Sequence, residues 1–168
     1  MGYGITLHRF SGHEDSPEQR ARAIKKLMNR YVWDGRTISD DEFMDGYELH
    51  FPNGEAVEMS ISGLSPEMGG DGCHFRLHGI GPAVCGFIYE VACAGNMIIF
   101  NEQGRDDEEL TNPVAILVEP AQKEWATEIG YQNSVLCESG GHLESLLSGS
   151  HAAWLDYRRK VLARTDLD

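Results

Sequence analysis

The apolar positions along this chain follow two periods, and the switches between them predict its elements. In GITLHRF, residues 4–10, Ile5 and Leu7 fall on one side with Arg9, and Thr6, His8 and Phe10 fall on the other. An extended chain points successive side chains to opposite faces, so this alternation predicts a short strand. In SPEQRARAIKKLMNRY, residues 16–31, the period changes to that of a helix. Ile24, Leu27, Met28 and Tyr31 recur at i, i+3, i+4 and i+7 and form one apolar stripe. Ser16 is suited to the N-cap, Pro17 to the first helical position, and Gln19 can close a capping box.

The stretch GYELHFPNGEAVEMSISG, residues 46–63, predicts a hairpin. Tyr47, Leu49 and Phe51 alternate with polar residues, as do Val57, Met59 and Ile61. A two-residue Asn53-Gly54 turn would pair Leu49 with Glu58. A three-residue Pro52-Asn53-Gly54 loop pairs Leu49 with Val57 and Tyr47 with Met59. Only the second register gathers the apolar residues on one face, with Gly54 at the left-handed bulge position.

Further along, SPEMGGDG predicts a flexible loop and CHFRLHG another strand, with Phe75 and Leu77 alternating against His74, Arg76 and His78. Pro82 opens a helix whose Val84, Phe87, Ile88 and Val91 are helically spaced, and Gly95-Asn96 ends it. MIIF and VAILVE predict apolar strands. HLESLL predicts a short helical segment, and Gly149 separates it from a longer helix capped by Ser150. Strands dominate early and helices late. The expected fold class is therefore α+β: a single mixed, mainly antiparallel sheet with helices packed on it and a helical C-terminal part, in one domain spanning residues 1–168.

Composition sharpens the picture mainly through charge. The 168 residues carry 14 Lys and Arg against 27 Asp and Glu, a formal net charge of −13. Such a chain repels nucleic acid and anionic membranes, because both would meet like charge, and a basic protein is the better partner. Arg20, Arg22, Lys25, Lys26 and Arg30 all sit in the first predicted helix, which leaves the remainder more acidic still. No apolar run is long and unbroken enough to span a bilayer, and no signal-peptide core is visible near MGYGITLHRF. The four cysteines form no CxxC pair, so free thiols in a reducing, cytoplasmic setting are expected.

The acids are dense in two places. SDDEFMD places Asp40, Asp41, Glu42 and Asp45 close together, and GRDDEELTNP places Asp106, Asp107, Glu108 and Glu109 side by side beside a single Arg105. Neither matches a calcium loop. Both are expected on loops, where they would attract a cationic surface or simply remain solvated.

Other chemistry is sparse. On a strand, His74 and His78 would share a face about 13 Å apart, too far for one metal ion. HGIGPAV enters a helix N-terminus, but Val84 replaces the third glycine of a dinucleotide loop and Pro82 removes a donor. Cys85 and Cys93 are expected to be buried and inert on their helix. Cys73, after a glycine-rich stretch, is the most exposed candidate nucleophile, with His74 beside it. No metal and no cofactor is expected.

The segment CHFRLHGIGPAVCGFIYEVACAGNMIIFNEQG, with VAILVEP after it and the hairpin YELHFPNGEAVEMSIS before it, resembles the layout of bacterial immunity proteins of toxin–immunity pairs. The resemblance covers about Tyr47 to Trp125 and carries no catalytic residue. It implies a cytoplasmic protein that binds a cognate toxin and occludes its active site; the charge adds the expectation that the toxin is basic and that Asp40, Asp41, Glu42, Asp45, Asp106, Asp107, Glu108 and Glu109 face it. The competing reading is a small enzyme or ligand-binding domain using Cys73, His74 and His78 near the glycine-rich turn. A third is an accessory protein whose acidity serves only solubility.

Overall fold

The computed structural model describes residues 2–10, 16–32, 34–40, 44–64 and 69–165. Its elements run β1 (Tyr3–Arg9), α1 (Pro17–Tyr31), β2 (Asp34–Asp40), β3 (Asp45–His50), β4 (Ala56–Ile61), β5 (Gly72–Leu77), α2 (Pro82–Gly95), β6 (Met97–Asn101), β7 (Ala115–Leu117), α3 (Gln122–Glu128), β8 (Ser134–Leu136) and α4 (Gly140–Thr165). The strands form one eight-stranded sheet in the order β2-β3-β4-β5-β1-β6-β7-β8. Neighbours are antiparallel except β7 and β8, which are parallel. This is the expected α+β class.

Strand alternation decides which face becomes the core. Tyr3, Ile5 and Leu7 of β1, Val57, Met59 and Ile61 of β4, and Cys73, Phe75 and Leu77 of β5 point the same way and are buried. They pack with Ile24 and Leu27 of α1, Phe87, Ile88 and Val91 of α2, and Leu143, Leu147 and Trp154 of α4. Each fully buried aliphatic or phenylalanine side chain contributes about 1.5–3 kcal/mol. The second face is apolar only at its β6–β7 corner. There Ile98, Ala115 and Leu117 meet Ala126 of α3, with Phe100, Trp125 and Tyr131 against them.

The hairpin adopts the three-residue loop that the alternation demands. Leu49 pairs with Val57 and Tyr47 with Met59, and Gly54 takes a φ of +88°. Ser16 caps α1, its Oγ accepting from the Gln19 N–H at 3.1 Å. The N-terminus of α2 is already filled from within. Glu55 accepts from the N–H groups of Ala83 and Val84, at 3.3 and 2.8 Å, satisfying donors that could otherwise receive an external anion. Asn96, with φ of 48°, closes the helix.

Several expectations fail for identifiable reasons. Gly149 does not interrupt the C-terminal helix, because the buried positions Leu143, Leu147, Ser150 and Trp154 keep one stripe running through it. A helical glycine costs about 1 kcal/mol, less than that stripe returns. Ser150 is thus no N-cap; it is 1% exposed and inside the core. Residues 65–68 of the expected flexible loop lie outside the described residues. Gly69 and Gly70 beyond them are buried, and Gly69, with φ of +60°, presses against the backbone of Pro17. There it meets Arg20, a buried cation whose Nε donates to the Gly69 carbonyl at 2.7 Å and whose guanidinium pairs with Asp71.

Candidate functional site

The acidic run of residues 106–109 sits at the far end of a tightly closed neck between β6 and β7. The Asn101 N–H donates to the Val114 carbonyl at 2.8 Å, and the Arg105 N–H donates to the Asn112 carbonyl at 2.7 Å. The neck crosses so closely at Gly104 that any Cβ there would meet the Pro113 backbone. Leu110 takes a φ of 52°, a left-handed conformation that costs a branched residue about 1–2 kcal/mol and persists only when its surroundings enforce it.

Two sets of anchors hold the neck. Below the neck, a buried network joins three elements. The Tyr3 hydroxyl donates to Asn101 Oδ1 at 2.7 Å and lies 2.5 Å from Ser150 Oγ, and Asn101 Nδ2 donates to Ser150 Oγ at 3.0 Å and to the Pro113 carbonyl at 3.2 Å. Burial pushes the Tyr3 phenol up to about 12, so it remains a neutral donor. Above the neck, Asp106 accepts from the N–H groups of Gln132 and Asn133 at 3.3 and 2.9 Å. The Asn133 side chain returns a bond to the Asp106 carbonyl.

Asp106 is therefore committed to the fold. Among the described residues, no ion pair or hydrogen bond reaches the side chains of Asp107, Glu108 or Glu109, and Glu108 and Glu109 are exposed. Glu48 and Glu58, on the strands, contrast with them. On the face that no large helix covers, Glu48 pairs with Arg36 at 2.7 Å and His50 at 3.1 Å. Glu58 pairs with Arg76 at 3.6 Å and His78 at 3.1 Å. The Arg36 guanidinium, with help from His50, holds the Glu48 carboxyl below its ordinary range. Such exposed bridges contribute little stability, but they balance the charge of that face.

Beside the acidic neck the same face dips into an open cleft of about 670 Å³, lined by Thr6, His8, Phe100, Glu102, Trp125 and Tyr131 among others. It forms because α3 and the turn after it stand above β6, while among the described residues no helix packs on the same face of β1. Phe100 and Tyr131 lie 5.1 Å apart with rings tilted by 49°, and His8 meets Phe100 edge-on at 5.8 Å. Glu102 closes one end. Its Oε1 accepts from Thr6 Oγ1 at 2.8 Å and lies 3.2 Å from His74 Nε2. Sequence alternation alone does not reveal this cleft, because its residues come from four separated segments.

The first acidic cluster is placed elsewhere. Asp40 ends β2 and Asp45 begins β3, so both lie in strands rather than on a loop. The Asp45 carboxylate accepts from the Leu64 N–H at 3.3 Å. The side chain of Asp40, and all of Asp41 and Glu42, lie outside the described residues. Antiparallel pairing puts this hairpin end on the opposite flank and opposite end of the sheet from the neck. About 24 Å of sheet, five strand spacings, separates β2 from β6, so the two clusters do not form one patch.

The enzyme-like constellation does not assemble. Cys73 is 2% exposed on the core face, and burial drives its thiol well above the usual range. His74 and His78 belong to the opposite face. The exposed cysteine is Cys93 instead, at the outer edge of a groove shared with Lys26, Arg30 and Glu90. Among the described residues, no group of three or more His, Cys, Asp or Glu is placed to hold a metal ion, and no helix is long and apolar enough to cross a membrane. Comparison with protein-family models, with curated proteins and with solved structures finds no match.

Proposed function

We propose that this chain is a binding protein of the bacterial toxin–immunity kind. It acts in the cytoplasm by seating a basic toxin on its acidic neck and occluding the toxin's active site. The observation that carries this reading is a run of three adjacent carboxylates, without partners among the described residues, on a neck held at both ends. Glu48 and Glu58 are matched by cations from their own chain. Asp107, Glu108 and Glu109 are held out on a braced neck with none among the described residues. A rigid, unmatched charge cluster on a chain of net charge −13 speeds encounter with a cationic surface and loses little ordering entropy on binding. The layout resemblance supplies the class of partner.

The test is affinity capture from the native host at low salt, with the wild-type chain and with a variant carrying Asp107→Lys, Glu108→Lys and Glu109→Lys. The expected result is one basic protein retained by the wild type and lost by the variant. That protein, produced alone, should arrest growth, and co-production of this chain should restore it. Equal retention by both chains, or a captured protein with no toxicity, would remove the reading.

A further inference from the structure

We infer that the cleft beside the acidic neck receives an arginine side chain of the bound partner. This rests on the toxin-binding reading and adds a specific anchoring point to it. The neck leaves the sheet just after Glu102 and returns at Val114, and both residues line the cleft. Tyr131, in its wall, directly precedes the Gln132 and Asn133 amides that hold Asp106. A partner lying on Glu108 and Glu109 would therefore roof the cleft.

The lining selects the chemistry of what enters. Phe100, Trp125 and Tyr131 present aromatic rings, whose faces carry negative electrostatic potential and attract cations. Glu102 adds a full negative charge at one end. Its Oε1 is held by Thr6 and faces His74, while Oε2 has no hydrogen-bond partner among the described residues. An anion entering here would meet Glu102. A purely apolar group would strip water from that carboxylate and give nothing in return. A guanidinium satisfies both features, because its plane stacks on a ring while its edge donates to the carboxylate. The compact, strongly hydrated ammonium of lysine matches the rings less well. Ile129, an apolar residue 44% exposed at the cleft wall, is also left in water until something covers it. The guanidinium belongs to a protein side chain rather than to free arginine, since the cleft opens along the surface the partner occupies.

The assignment is tested without the toxin, by following backbone amide shifts of the full chain during titration with an N-acetylated, C-amidated Gly-Arg-Gly peptide. The same peptide with citrulline in place of arginine keeps the shape and removes the charge. Saturable shifts centred on Thr6, Phe100, Glu102 and Tyr131 are expected with arginine and not with citrulline. Glu102→Gln should weaken the response roughly fivefold or more. Tyr131→Leu, which keeps the wall apolar, should weaken it as well, and dispersed spectra of both variants will show that they fold. Equal response to citrulline, an unchanged response in Glu102→Gln, or shifts confined to residues 106–109 would overturn the inference. Undiminished capture of the basic partner by Glu102→Gln would also overturn it while leaving the toxin reading intact. Peptide binding in a chain that captures no toxin would uphold the cation site and remove that reading.

Discussion

The Asp106 carboxylate and the Asn133 backbone N–H, 2.9 Å apart, join segments 27 positions distant in the chain. Through that contact one acid of the run becomes a brace for the others. Asp106→Ala should therefore behave unlike the charge reversals at its neighbours. It should cost about 1 kcal/mol of stability, the value of an ordinary exposed hydrogen bond, and should speed amide exchange at Gln132 and Asn133. Association with a basic partner should keep its salt dependence while dissociation quickens. Triple reversal at Asp107, Glu108 and Glu109 should instead slow association about tenfold or more at low salt and leave the unfolding midpoint almost unmoved. Stopped-flow kinetics at two ionic strengths, with urea unfolding of each variant, separate the two effects.

The buried Tyr3–Ser150–Asn101 ring should reward disruption with a measurable loss. Ser150→Ala removes an acceptor from Asn101 and a partner from the Tyr3 hydroxyl, and should destabilise the fold by about 1–3 kcal/mol. Tyr3→Phe should cost a similar amount, and the double variant less than the sum, since both changes break one network. Urea denaturation of the two single variants and the double variant measures this coupling.

Acid should weaken the protein through His151. Its ring stacks on Trp154 at 5.8 Å and meets Tyr3 edge-on, and its buried Nε2 has no hydrogen-bond partner. Burial lowers its pKa below the ordinary 6.5. Between that lowered value and about 6.5, the unfolded chain binds more protons than the folded one, so stability declines as pH falls through this window. Above the window the residue has no effect on the slope. His151→Phe, which keeps the stacking, should remove this part of the pH dependence, as thermal unfolding from pH 7.5 to 5 will show.

The thiols should react in an order set by exposure. Cys93 is exposed, while Cys73, Cys85 and Cys137 are buried, and burial drives the Cys85 thiol up to about 12. A disulfide reagent at pH 8 should label the native chain once, at Cys93, and the other cysteines only after denaturation. Peptide mass spectrometry identifies the site. Cys73→Ala should disturb packing without abolishing partner capture.

How far the sequence reveals this molecule depends on how local each determinant is. The hairpin register is legible because Pro52, Asn53 and Gly54 admit only one loop that keeps Leu49 and Val57 on the same side. Helices α1 and α2 are legible because Ser16, Pro82 and Asn96 mark their ends chemically. β2 escapes notice because Ile38, 48% exposed, is its only large apolar residue. α3 and β8 are too short to establish a period. Gly149 looks like a break until the stripe from Leu143 to Trp154 is followed through it. In the site, the acids at 106–109 stand out in the sequence, but the division of labour between Asp106 and its neighbours does not. That division depends on amides at 132 and 133, and the adjoining cleft on Thr6, Glu102 and Tyr131, brought together only by strand order.

The lopsided covering of the sheet has a further consequence. The main core spans its width beneath three helices, whereas the corner under α3 rests on Ile98, Ala115, Leu117 and Ala126 with their aromatic neighbours, and on the three-residue ladder of β7 and β8. So small a patch of dry contact makes that corner cheaper to open than the main core. When it opens, the grip on Asp106 goes with it. A ligand seated across the neck and cleft thus fastens this thin seam, and occupancy will register as slowed deuterium uptake at Ser134–Leu136, a strand that does not line the cleft.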